Sequence, residues 1–298
     1  MTEERSHRFP SMGTAVTLTG PAGSRFDDAA RAVEAIFDRE DRRFSRFRVD
    51  SELSGVNMRA GSWTEVSEPF AELLRLALDG ARRSGGLFDP TILPALVAAG
   101  YDRDYGELLR SEPLVGLPPR PGGRWREVRL DCRMVKLPDD CRLDFGGVAK
   151  GWTCDRAVEE AIRHLPWAMI NAGGDLRVAG ALPAPGLEIR VEDPLATSES
   201  ILRLRLLDGA LATSSILDRA WGEGLHQVID PRTQLPAVTD VVQATVWAPT
   251  CAEAEVGTTW AMLLGPVAMD ALSCVLAMSG GDVFVNIAGE PERAEVST

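Results

Sequence analysis

Leu143-Asp144-Phe145-Gly146-Gly147-Val148-Ala149-Lys150-Gly151-Trp152 is the stretch from which the fold is read. A β-patterned run ends in an acid, two glycines turn the chain, and a helix opens with Lys150 in its first turn. Upstream, the pattern predicts strands at 125–130, 134–137 and 142–145. Downstream it predicts a helix from about 148 to 164, then a strand at 168–171. Further out, a strand at 15–19 precedes a helix over 26–44 whose apolar face carries Val33, Ile36, Phe37 and Phe44. A second helix runs from Ser67, an N-cap followed by Glu68 and Pro69, to the stop at Ser84-Gly85-Gly86. Strands follow at 187–191, 201–206, 227–229 and 241–247, then helices at 252–264 and 268–278 and a last strand at 282–287. Strands outnumber helices without alternating strictly with them, which predicts an α+β fold of mixed and antiparallel sheets with packed helices. The Pro- and Gly-rich loop at 118–123 is the expected boundary between two lobes of a single domain spanning 1–298.

The chain of 298 residues carries 32 basic and 44 acidic side chains, a net charge of −12. That balance excludes a nucleic-acid binder of the phosphate-neutralising kind, which needs a basic field. Lys136 and Lys150 are its two lysines, so the setting of each is informative. The charged start, Met1 to Arg8, has no apolar run behind it and the first cysteine is Cys132, so neither a secretory signal nor an N-terminal lipid site is expected. The most apolar region, 258–278, is broken by Gly265, Pro266 and Asp270 and reads as two packed helices, not a membrane span. Five cysteines without a Cys-x-x-Cys pair predict buried reduced thiols and a cytoplasmic setting, and three histidines leave no His–Cys cluster for zinc.

Several short segments could carry chemistry. In the Asp144–Gly151 turn, glycines would admit a ligand to the backbone, helix-start N–H groups and Lys150 suit a phosphate, and Asp144 could accept from a ribose or ring N–H. The same residues would equally make a tight turn with a solvent-facing lysine. Asn171-Ala172-Gly173-Gly174-Asp175 is a second glycine pair after a strand, and Ala212-Thr213-Ser214-Ser215 offers hydroxyls, or is an ordinary strand end. His226-Gln227-Val228-Ile229-Asp230-Pro231-Arg232-Thr233 gathers an imidazole, an acid, a guanidinium and a hydroxyl, in good turn chemistry. Glu255 and Thr259, four apart on one helix face, are hard oxygen donors suited to Mg²⁺; acids in a first turn also complement the helix dipole.

In this order, joined by Met12-Gly13-Thr14, Phe44-Ser45-Arg46-Phe47-Arg48-Val49-Asp50-Ser51-Glu52-Leu53, Asn57 and Gly86-Leu87-Phe88-Asp89-Pro90-Thr91, the segments resemble the ApbE family, the FAD:protein FMN transferases. The likeness spans roughly residues 9–285. It implies cleavage of the FAD pyrophosphate with Mg²⁺, passage of FMN to a Thr or Ser hydroxyl of a partner protein, and release of AMP. Some members hydrolyse FAD instead. Flavin contacts implied by the resemblance are Met12, Phe47, Leu87, Phe88, Asp89, Asp144, Lys150 and Ile229; the metal would take the backbone of Gly147 with Glu255 and Thr259, Thr258 standing near. Asp230 and His226 would organise the acceptor side as the catalytic pair.

Four positions depart from the family's pattern. Gln227 stands where it usually has a histidine, with His226 one residue earlier; Glu255 replaces an aspartate; Gln234 and Ser215 replace glycines. Glutamine cannot serve as a general base, and the two lost glycines mark places where positive φ or close approach was allowed. Alternatives to transfer are therefore an FAD-binding carrier, an FAD pyrophosphatase, or transfer to an unusual acceptor.

Overall fold

In the computed structural model, which describes residues 3–109, 123–195 and 200–287, the chain forms two compact units. The first comprises Met1–Asp38, Lys150–Ser215 and Thr239–Thr298; the second comprises Arg39–Ala149 and Ile216–Val238. The boundary expected at 118–123 lies, apart from Gly123, outside the described residues.

The first unit is organised on an eight-stranded sheet in the order Glu4–Ser11, Thr14–Pro21, Trp167–Ala172, Asp175–Gly180, Gly209–Ser215, Val241–Ala248, Ser273–Met278 and Val283–Asn286. Every neighbouring pair is antiparallel. On one face, Val16, Leu18, Ala168 and Ile170 pack against Phe26, Val33 and Phe37 of the helix Phe26–Phe44, and against Cys154, Ala157, Val158 and Ala161 of the helix Ala149–Ala161. The other face is covered by the hairpin Leu187–Glu192/Ser200–Leu206, whose Val191, Leu202 and Leu204 meet Leu176, Val178 and Leu211. The first two strands join through Met12 and Gly13, both at positive φ (48° and 69°), a turn whose twist matches the strands it connects.

The second unit holds a three-stranded antiparallel sheet, Trp63–Glu65, Met134–Lys136 and Arg129–Asp131, with helices Glu52–Met58, Glu68–Arg83, Leu93–Ala98 and Tyr105–Leu108. Its core sets the Phe145 ring 5.9 Å from Phe44 and 5.4 Å from Phe70. Ser67 caps its helix as expected, accepting from the Phe70 N–H.

Four expected elements differ. Residues 268–278 are not a helix: Gly265–Asp270 is a 3-10 turn and Ser273–Met278 a strand. The short run 274–278 is apolar without a break, and such a run has no periodicity to separate a buried strand from a helix. Residues 142–145 form no strand, because the Asn57 side chain replaces the missing neighbour. Its Nδ2 donates to the Leu143 carbonyl (2.9 Å) and its Oδ1 accepts from the Leu143 N–H (2.7 Å). The segment 125–130 is a 3-10 turn, Arg124–Glu127, followed by the strand Arg129–Asp131. The strand expected at 227–229 is split into Leu225–His226 and Ile229–Asp230, which pair with different partners.

Candidate functional site

The Gly-rich turn is built by its own acid. Asp144 Oδ1 accepts from the Gly146 N–H at 2.8 Å, and a Cβ on Gly146 would stand 2.9 Å from that oxygen. Gly151 has an equally local reason. A Cβ there would meet the Cys251 carbonyl at 2.5 Å, so glycine lets the helix Ala149–Ala161 close on the start of the helix Cys251–Leu264.

That close approach assembles a polar cluster inside the first unit. Lys150 Nζ lies 2.8 Å from Asp175 Oδ2 and also donates to Glu255 Oε1, while Glu255 Oε2 accepts from the Gly151 N–H at 2.8 Å. Thr258 Oγ1 donates to the Glu255 carbonyl (2.7 Å) and so accepts from Ser214 Oγ, also at 2.7 Å. Burial alone would depress the Lys150 pKa, but Asp175 and Glu255 drive it upward, and the lysine stays cationic. Burial pushes the Glu255 carboxyl up to about 7, with Lys150 opposing and Asp175 adding to the rise. Thr259 is half-buried on the same helix. Asp175, absent from the site expected on sequence, is thus the second anion of the cluster. Its signal was the acid closing the Gly173-Gly174 turn.

Glu253 and Glu255 separate by role. Glu253 serves the helix start: the N-cap Thr250 accepts from the Glu253 N–H through Oγ1 and donates its hydroxyl to Glu253 Oε2. Asp155 takes the N–H groups of Cys251 (2.8 Å) and Ala252 (3.0 Å). The helix start is therefore satisfied without Glu255, which turns inward.

In the second unit, Arg46 is the hub. Its side chain is 9% exposed; Nε pairs with Asp144 Oδ2 at 3.0 Å and Nη1 donates to the Tyr101 carbonyl at 2.7 Å. The guanidinium carbon lies 4.3 Å from the ring centroids of both Phe47 and Tyr101. Tyr101 in turn stacks at 5.0 Å on Trp221 and shares a cluster with Ile229. Phe47, Asp144 and Ile229, three of the residues implied as flavin contacts, are thus tied together by two that sequence reading passed over, Arg46 and Tyr101. Phe47 is 38% exposed, enough to offer a ring face. Leu87 is half-buried and Phe88 buried. Asp89 spends its carboxylate on its own turn, accepting from the Thr91 N–H, the Thr91 hydroxyl and the Gly123 N–H. Burial raises its pKa. Met12 lies in the first unit, half-buried against the sheet core.

His226 is buried at the hairpin Ala220–Gly222/Leu225–His226. Its Nε2–H donates to the Ala237 carbonyl at 3.1 Å, and among the described residues Nδ1 has no partner. Burial lowers its pKa, so the ring is neutral and Nδ1 is the basic nitrogen. Asp230 is engaged by Arg232, whose Nε (2.9 Å) and Nη2 (2.8 Å) bracket its carboxylate and hold its pKa down. Gln234 occupies φ +62°, the left-handed position expected where a glycine was lost. Ser215 needs no such conformation; it is buried at the end of its strand. Among the described residues no group of three His, Cys, Asp or Glu is placed to hold a metal, and no helix is long and apolar enough to cross a membrane. All five cysteines are free, and Cys132, contrary to expectation, is exposed.

The first unit thus holds an ammonium between two buried carboxylates, and the second a half-exposed ring beside a charged acceptor, on an antiparallel α+β scaffold. The ApbE family model matches residues 12–276, and the chain belongs to that family. It is similar to the FAD:protein FMN transferase of Treponema pallidum (strain Nichols), 28% identical over 269 residues covering 80% of this chain and 71% of the relative. The Escherichia coli (strain K12) protein of the same name is 24% identical, over 92% of this chain and 84% of its own. In fold, the chain resembles the ApbE protein of Thermotoga maritima, with a TM-score of 0.84, 23% identity and coverage of 95% and 97%.

Proposed function

We propose that this protein is a Mg²⁺-dependent flavin transferase that binds FAD, cleaves its pyrophosphate and passes FMN to a Thr or Ser hydroxyl of a cytoplasmic partner protein, releasing AMP. The observation that carries the reading is the meeting of Lys150 with Glu255, 105 residues apart, in one cluster with Thr258 and Ser214. These are the residue types that a cleaved pyrophosphate requires: an ammonium for its oxygens and hard oxygen donors for a divalent cation.

The donor set fits Mg²⁺ in kind, with a carboxylate at Glu255 and hydroxyls at Thr258 and Thr259; Gly147, in the second unit, stands on the resemblance alone. Mg²⁺, when bound, would neutralise charge developing on the pyrophosphate oxygens. Lys150 binds the anion as a point charge. The flavin contacts that the resemblance implies are Phe47, Leu87, Phe88, Asp89, Asp144 and Ile229 in the second unit and Met12 in the first. On the acceptor side, His226 would hold the hydroxyl's proton at Nδ1, while Asp230 orients the turn and, locked by Arg232, is the weaker base.

That lock and the Gln227 replacement favour a second reading, an FAD-binding homologue with little or no transfer. Incubating the protein with FAD, Mg²⁺ and a Thr-containing acceptor distinguishes the two. Release of AMP with flavin bound covalently to the acceptor is expected. AMP no higher than in a metal-free control, with intact FAD retained, overturns the transferase reading in favour of binding.

A further inference from the structure

Asp144 is 8% exposed and Arg46 scarcely more, so their ion pair is a buried one. Such pairs hold only when geometry is good and the remaining polar atoms find partners. Here the guanidinium divides its donors: Nε serves Asp144, Nη1 serves the Tyr101 carbonyl, and Nη2 has no partner among the described residues. The Phe47 and Tyr101 rings both stand 4.3 Å from its central carbon and 5.8 Å from each other, tilted by 48°, so the guanidinium sits in the corner that the two rings make. One side chain therefore fixes an acceptor carboxylate and a half-exposed aromatic ring at the same time. Lysine could supply the charge but neither the fork nor the flat faces.

We propose that Arg46 is the positioning residue of the flavin site, setting the Asp144 carboxylate and the Phe47 ring as one surface for the isoalloxazine. The proposal rests on the flavin reading above and adds a residue that acts through two others. Asp144, with Oδ1 held by the Gly146 N–H and Oδ2 by Arg46, is restrained at both oxygens and presents its remaining lone pairs in a fixed direction. Without Arg46 the carboxylate would keep one restraint and the Phe47 ring would lose its stacking partner. Tyr101 extends the same surface through Trp221, whose Nε1 donates to the Ala99 carbonyl at 3.0 Å.

The test is Arg46→Lys, read by FAD affinity and by the visible absorption band of the bound flavin, with thermal unfolding as the control for folding. The expected result is a Kd raised about tenfold or more and a shifted flavin band in a folded protein. Arg46→Lys combined with Asp144→Asn should then weaken binding by less than the two single changes multiplied together, since part of the effect of Arg46 runs through that carboxylate and the rest through Phe47. Should Asp144→Asn not fold, Tyr101→Leu, which removes one of the two lining rings, is expected to raise the Kd in the same direction by less. Wild-type FAD binding with an unchanged Kd and spectrum in Arg46→Lys overturns this inference alone, as does full additivity with Asp144→Asn. A wild-type protein that binds no FAD overturns the flavin reading and this inference with it.

Discussion

Lys150 in the first unit and Arg46 in the second are both largely enclosed cations, and the two are held in opposite ways. Lys150 sits between two carboxylates, Asp175 and Glu255; burial drives the Glu255 carboxyl upward, Lys150 opposes the rise, and Asp175, the cluster's second acid, adds to it. Arg46 meets a single carboxylate, one carbonyl and two aromatic rings, which balances the charge and leaves a nitrogen without a partner. The ammonium is a compact charge that gathers anions from any direction; the guanidinium is a planar fork that fixes the orientation of whatever it touches. The first arrangement suits a site where charge must be met, the second a site where a flat ligand must be aligned.

The hardest way to break the contrast is Lys150→Met. It strands two buried carboxylates, and we expect a loss of about 3–5 kcal/mol of stability, limited by protonation of Glu255. Urea unfolding measures it. A loss under about 1 kcal/mol would mean that the cluster is solvated and not the closed ionic unit described. Next in size is Asn57→Ala in the second unit. It removes both hydrogen bonds from the Leu143 backbone, at an expected cost of about 2–4 kcal/mol. Hydrogen exchange at the Leu143 amide should accelerate in step. Retained protection would show that the segment before the Gly-rich turn is held by something other than Asn57.

Legibility in the sequence follows the same division. The sheet strands with alternating burial, the Ser67 cap and the helix Ala149–Ala161 announce themselves through period and capping chemistry. Glu4–Ser11 does not, because an edge strand with five charged or polar residues among its first five looks like a tail. The Ser273–Met278 strand is hidden for the reverse reason, being apolar from Cys274 to its end. In the site, Lys150 and Glu255 were visible as isolated residues, but nothing local says that Asp175 joins them. Arg46 was present within the quoted Phe44–Leu53 stretch, yet its role depends on Tyr101 and Asp144, 55 and 98 positions away along the chain, and no spacing rule encodes such a meeting. Gln234 is the converse: a glycine missing from a turn pattern pointed to a left-handed backbone, and φ is +62°.

The smallest effect asks which acid makes the first unit sensitive to pH apart from the Lys150 cluster. Asp155 caps the helix Cys251–Leu264 through two N–H groups, with Arg177 Nε 3.5 Å away, and burial pushes its pKa up to about 6 from 3.8. A carboxyl with a raised folded-state pKa binds its proton more tightly in the native state, so the stability it adds is complete below 3.8 and is lost as pH rises through about 6. Asp155→Asn abolishes that titration. It also replaces two accepting oxygens by one, a penalty that does not depend on pH. The stability of wild type relative to Asp155→Asn should therefore shrink by about 1–3 kcal/mol between about pH 4 and 7 and then stay level. Urea unfolding of both proteins across that range is the measurement. A difference that grows with pH would mean that the helix N–H groups and Arg177 outweigh burial and keep Asp155 charged, placing it with the charge-balanced Arg46–Asp144 pair and leaving Glu255 as the acid whose burial is incompletely offset.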